Sequence, residues 1–64
     1  MIGELIMIYR IEVAEFETQN WVNLGLVEQT IEQVRMYVCV VRRMYPGSHV
    51  RAIDSESRKT VAEI

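Results

Sequence analysis

The chain has 64 residues, half of them apolar, and a net charge of −2, which limits it to one small domain with a single core. Folding at this size buries only about 60% of the surface that the unfolded chain exposes, so we expect association to add to its stability. Cys39 is the only cysteine, which excludes an internal disulfide and a multi-cysteine zinc site and favours a reducing, cytoplasmic compartment.

The N-terminal stretch MIGELIMIY is apolar but lacks the basic segment and the cleavage site of a signal peptide. No apolar run approaches the roughly 18 residues that span a membrane. We therefore predict neither export nor a membrane segment. Met1 and Met7 are both candidates for the natural start, and residues 1–7 are expected to form a loose extension of the domain.

Alternation of apolar and polar residues predicts a first strand over residues 8–16. Tyr9, Ile11 and Val13 share one face, and the residues between them, Glu12 included, lie on the other. This pattern is typical of a strand that is buried on one side only.

The polar residues 17–20, ETQN, are suited to a hairpin connection into a short second strand, WVNL, at residues 21–24. Gly25 follows and permits a change of direction. We therefore predict that this strand ends before Gly25.

A helix is predicted from about residue 28 to 45. Thr30 and Gln33 have the spacing of a capping box, and Pro46-Gly47 is a suitable stop. Apolar residues recur at helical spacing, at Ile31, Val34, Val38, Val41 and Tyr45. The stripe is widened on one side by Tyr37, Val40 and Met44.

The β-branched run VCVV leaves an alternative, in which residues 34–43 form a strand that pairs with 49–54 across a MYPGS loop. We favour the helix, because charged residues occupy the side opposite the apolar stripe. After it, HVRAID at 49–54 and TVAEI at 60–64 are predicted as two strands joined by the polar SESRK segment.

The order ββαββ predicts an α+β fold of two layers, with one helix packed on a small antiparallel sheet. A single domain would then cover residues 1–64. The apolar stripe is wider than such a sheet needs, so Tyr37, Val40 or Met44 is expected to be partly exposed.

No group of residues has the pattern of a catalytic or cofactor site. Ser48 and His49 are neighbours in a strand and point to opposite faces, and Cys39 has no placed base. The carboxylates Glu12, Glu15 and Glu17 are expected to be solvated. One histidine and one cysteine are too few for a metal site, and the three glycines are isolated. We therefore expect neither an enzyme, nor a cofactor, nor a metal.

Charge is unevenly distributed along the chain. Residues 1–32 carry one arginine and six glutamates, a net charge of −5, whereas residues 33–64 carry six basic and three acidic side chains, a net charge of +3. The candidates for contact with an anion or nucleic acid are Arg35, Arg42, Arg43, Arg51, Arg58 and Lys59. The alternative is a solvated helix face with local ion pairs.

Four residues are candidates for a protein interface: Trp21, Tyr37, Val40 and Met44. Marginal size, an over-wide stripe and sheet edges together predict a small regulatory or interaction protein, a homo-oligomer that binds a larger macromolecule such as a protein. Nucleic-acid binding through the arginine-bearing helix and the second hairpin is the alternative hypothesis.

Overall fold

A computed structural model describes residues 5–64, which form one four-stranded antiparallel sheet and one helix. The elements follow the order β1 (Met7–Glu15), β2 (Val22–Gln29), α1 (Ile31–Met44), β3 (Ser48–Asp54) and β4 (Thr60–Glu63). The predicted α+β fold with the order ββαββ is confirmed. Residues 34–43 are helical, so the alternative hairpin is wrong.

In the sheet the strands lie in the order β2-β1-β3-β4. Because β2 and β3 are both antiparallel to β1, they run parallel to each other, and α1 crosses over between them. The helix lies closest to β3 and β4. As a result, β2 is an edge strand that the helix covers only in part.

The core lies between α1 and one face of the sheet. Its most deeply buried large side chains are at most about 2% exposed: Ile11 from β1, Val34 and Val38 from α1, and Val50 from β3. The paired residues Ile11 and Ala52 continue the layer across β1 and β3. The predicted alternation of β1 therefore has its physical basis in one face packed against the helix.

The helix begins at Ile31 because Thr30 caps it. The Thr30 hydroxyl accepts a hydrogen bond from the Gln33 backbone N–H at 3.2 Å, and the Gln33 side-chain oxygen accepts one from the Thr30 N–H at 3.0 Å. The predicted capping box is confirmed, but the predicted start near residue 28 is wrong. Glu28 and Gln29 belong to β2, because their backbone pairs with Ile8 and Met7.

Replacing Thr30 by alanine is expected to lower the free energy of unfolding by about 1 kcal/mol, because the Gln33 backbone N–H loses the hydroxyl that caps it. Thr30→Ser keeps the hydroxyl and should stay within about 0.5 kcal/mol of the natural protein. Chemical denaturation followed by circular dichroism measures both. Equal losses for the alanine and serine variants would contradict a stabilising role of the hydroxyl.

The second strand is longer than predicted and continues through Gly25. The register shifts between Ile11 and Glu12, which pair with Gly25 and Asn23, so Leu24 is the extra residue of a β-bulge. Gly25 has a φ of +134°, which is unfavourable for side chains with a Cβ atom. The prediction that Gly25 changes the chain direction was therefore wrong, since its unusual backbone is absorbed by the bulge.

The N-terminal extension can be compared with the structure only from Leu5 onward. Residues 1–4 lie outside the described residues. Leu5 and Ile6 are exposed and precede the sheet, whereas Met7 is the first residue of β1 and packs against the core. Assigning Met7 to a loose extension was therefore wrong.

Candidate interaction surface

One side of the helix carries large apolar side chains that the sheet does not cover. Met36 is 71% exposed, Tyr37 37%, Val40 50% and Met44 67%. At 3.6 residues per turn, these four residues fall within an arc of about 100°. We call them the apolar flank. The expectation that Tyr37, Val40 or Met44 is partly exposed is met by all three.

A right-handed crossover, the hand of about 98% of such connections, directs the apolar flank toward the β2 side of the helix. The opposite side is marked by Arg42, whose guanidinium carbon lies 5.1 Å from the centre of the Phe16 ring. That ring contacts His49 at the start of β3, with 4.7 Å between ring centres. Arg42 therefore lies near the end of β1 and the start of β3, on the other side of the helix from the apolar flank.

The edge strand β2 presents its own exposed apolar residues. Val22, Leu24 and Leu26 are 57%, 40% and 64% exposed. Val22 and Leu24 also line an open cleft of about 570 Å³ together with Val13 and Tyr45. Val22 and Leu24 therefore lie near the C-terminal end of the helix, whereas Leu26 pairs with Arg10 and lies on the sheet face away from the helix. An uncovered apolar edge strand is a common site of strand pairing with a further chain.

The opposite face of the sheet holds an ion-pair cluster around Glu12. The Glu12 carboxylate accepts a hydrogen bond from Nε of Arg51 at 2.7 Å. It also forms ion pairs with Nη2 of Arg51 at 2.7 Å and with Nε of Arg10 at 3.0 Å. The guanidinium of Arg51 stacks on Trp21, 3.8 Å from the ring centre. Glu12 is only 7% exposed, so the expectation that it is solvated was wrong. Its two arginines and the Trp21 ring shield it, whereas Glu15 and Glu17 are exposed.

The six basic candidates do not share one surface. Arg35 and Arg43 are exposed on the helix, and Arg42 packs over Phe16. Arg51 lies on the other side of the sheet and is held by Glu12. The remaining two, Arg58 and Lys59, are exposed in the segment between β3 and β4. The helix thus carries three of the arginines, and the other three basic residues lie apart from it.

The nucleophile and metal-ligand types are dispersed. Ser48 is buried and His49 is exposed, as their alternation in β3 requires. Cys39 is exposed on the helix and forms no disulfide. Between Leu5 and Ile64, no group of three or more histidine, cysteine or acidic residues is placed to hold a metal ion.

The sequence predicted that Tyr37, Val40 or Met44 is exposed, but the exposure of Met36, Val22, Leu24 and Leu26 was not predicted. The signal for Met36 was its helical spacing from Val40, and the length of the apolar stretch VNLGLV was the signal for β2. That β2 lies at an edge is set by strand order, which is a tertiary property.

Comparison with protein-family models, with curated proteins and with solved structures finds no significant match to this chain. Within residues 5–64, α1 is too short and too polar to cross a membrane.

Proposed function

We propose that the protein is a small, non-enzymatic interaction module that self-associates and, as an oligomer, binds a larger macromolecule. The observation that carries this proposal is the apolar flank of the helix, together with the exposed apolar residues of the edge strand β2. An exposed apolar patch of this kind is typical of a protein interface. The exposed, free Cys39 is compatible with a reducing compartment, which we propose for the protein.

Self-association is favoured over a monomeric function by the size of the domain. The four side chains of the apolar flank do not add to the core, and a domain of 64 residues has little core to spare. A contact between copies would remove this surface from water and add to stability by mass action.

The sheet face opposite the helix supports contact with a larger partner. Trp21 and Arg51 stack there, and these residue types are enriched among the side chains that dominate binding energies at interfaces. Glu12 holds the Arg51 guanidinium in place, so little side-chain freedom would be lost on binding. This face would stay accessible if the copies associate through the helix side.

Nucleic-acid binding is the second candidate. It is favoured by Arg35 and Arg43, which are exposed on the helix and form no ion pair within residues 5–64. Against it stand the separation of Arg51 from the helix and the net charge of −2. Phosphate contact would fall steeply with salt, which distinguishes it from apolar association.

Replacing Val40 and Met44 together by glutamine is expected to weaken self-association by at least about a hundredfold, because four apolar side chains per dimer would leave the interface. Glutamine is a better helix former than valine, so the isolated domain should stay folded. Native mass, measured by sedimentation over a wide range of protein concentration, reports the change.

Arg35→Gln is the matched control, since it places the same side chain on the charged side of the helix. It should leave the native mass unchanged. A natural protein that stays monomeric at every concentration would contradict the proposal. Excess mass that absorbs like nucleotides and is lost at high salt would instead support the nucleic-acid alternative.

A further inference from the structure

We infer that the apolar flank is covered by the same flank of a second copy, with the two α1 helices antiparallel and Glu32 of each copy beside Arg43 of the other. This inference rests on the proposed self-association and specifies its interface. Its basis is the arrangement of apolar and charged residues along the exposed side of the helix.

The positions of the apolar flank suit an antiparallel pair of identical helices. In such a pair, positions that lie equally far from the midpoint of the contact, on either side of it, face each other. With the midpoint near residue 38, Met36 of one copy faces Val40 of the other, and Met44 faces the first turn of the other helix, at residues 32–33. The large side chains then interleave along the whole contact, as helix packing requires.

Charge complementarity identifies a second copy as the occupant. Glu32 and Arg43 are eleven positions apart, so at 100° per residue they fall within about 20° of each other around the helix. Both lie at the border of the apolar flank that faces away from the sheet. A two-fold axis keeps this border on the same side in both copies, so Glu32 meets Arg43 of the partner at both ends.

Neither Glu32 nor Arg43 has an ionic partner within the described part of its own chain. Both are exposed, and the ion pairs of residues 5–64 are those of Glu12 with Arg10 and Arg51. In an antiparallel pair the first turn of each helix, with Glu32, lies beside the last turn of the other, which carries Arg42 and Arg43.

The same two-fold axis also relates the β2 strands of the two copies. The apolar flank faces the side on which β2 lies, so helix pairing brings the two β2 strands toward each other in antiparallel orientation. β2 carries one charged residue, Glu28, near one end. Antiparallel alignment centred near Gly25 keeps the two Glu28 carboxylates apart, whereas parallel alignment would place them side by side.

Charge reversal tests the pairing. Glu32→Arg and Arg43→Glu are each expected to raise the dissociation constant of the dimer about tenfold, because two attractive contacts become repulsive. The double variant Glu32→Arg/Arg43→Glu restores opposite charges across the interface and should return to within about threefold of the natural protein. Arg35→Glu, on the charged side of the helix, is the control and should have little effect. Sedimentation equilibrium at low ionic strength measures all of them.

If the charge reversals acted only within one copy, the double variant would be weakened more than either single variant. Each reversal places a charge that the helix dipole disfavours, so the two intramolecular effects would add. Thermal unfolding of the natural protein, the two single variants and the double variant, at low protein concentration, measures this intramolecular contribution separately. A natural dimer in which the single reversals leave the dissociation constant unchanged, or in which the double variant is the weakest, overturns the helix pairing. A natural protein that is monomeric throughout overturns the proposed self-association itself.

Discussion

Ile11→Ala is expected to lower the free energy of unfolding by about 2–5 kcal/mol, which is enough to unfold much of a domain this small. Ile11 is 2% exposed and lies at the centre of β1, between its neighbours Gly25 in β2 and Ala52 in β3. Both neighbours are small, so no adjacent side chain in the sheet can fill the cavity that the substitution leaves.

Ile8→Ala is the matched control for this substitution. The same residue type is removed from the same strand, but Ile8 is 43% exposed on the opposite face of the sheet. Its expected cost is below about 1 kcal/mol, because less apolar surface returns to water. Urea unfolding followed by circular dichroism compares the two. Similar midpoints for both variants would show that the core does not lie between β1 and the helix.

The second large effect is expected for Arg51→Leu, with a loss of about 2 kcal/mol in the free energy of unfolding. The substitution removes the Nε hydrogen bond and the Nη2 ion-pair contact, both at 2.7 Å, and leaves the Glu12 carboxylate, only 7% exposed, with Arg10 as its one partner. Breaking a buried pair costs about 3–5 kcal/mol, and the partial exposure of Arg51 and Arg10 reduces that figure. Trp21 also loses its stacking partner, so its fluorescence should change, and it is the only tryptophan in the chain.

The double variant Glu12→Leu/Arg51→Leu separates the ionic contribution from packing. Without the Glu12 carboxylate, no buried charge is left with Arg10 as its single partner. Most of the stability that Arg51→Leu loses should therefore return. A double variant whose loss equals the sum of the two single losses would show that Glu12 and Arg51 do not stabilise the fold as a pair.

Both predictions concern residues on β1 or its neighbour β3, and they illustrate a difference between the two sheet faces. The face of Ile11 was evident from alternation, because a strand with one buried side repeats every second residue. The face of Glu12 was misjudged for the same reason, since alternation counts a glutamate as solvated. Only the neighbouring strand supplied Arg51, 39 residues away in sequence, together with Trp21 from the start of the hairpin.

The helix shows the same difference between features that local sequence predicts and features that only the tertiary structure decides. Its cap, its stop and its buried residues depend on neighbours within a few positions, so Thr30, Gln33 and the spacing of Val34, Val38 and Val41 were sufficient to predict it. The width of the apolar stripe also predicted that the sheet would not cover all of it. The uncovered side of the helix could not be predicted, because it depends on the position of α1 over β3 and β4.

The sequence by itself determined the α+β class, the order of the elements, the capped helix and most of the core, since these follow from local periodicity and short-range hydrogen bonds. The tertiary structure alone decided the strand order β2-β1-β3-β4, the passage of β2 through Gly25 and the burial of Glu12. The physical reason is that strand pairing joins residues far apart in the chain, and no short-range pattern specifies which strand becomes an edge. For this protein that choice leaves β2 at the edge of the sheet, with Val22, Leu24 and Leu26 exposed.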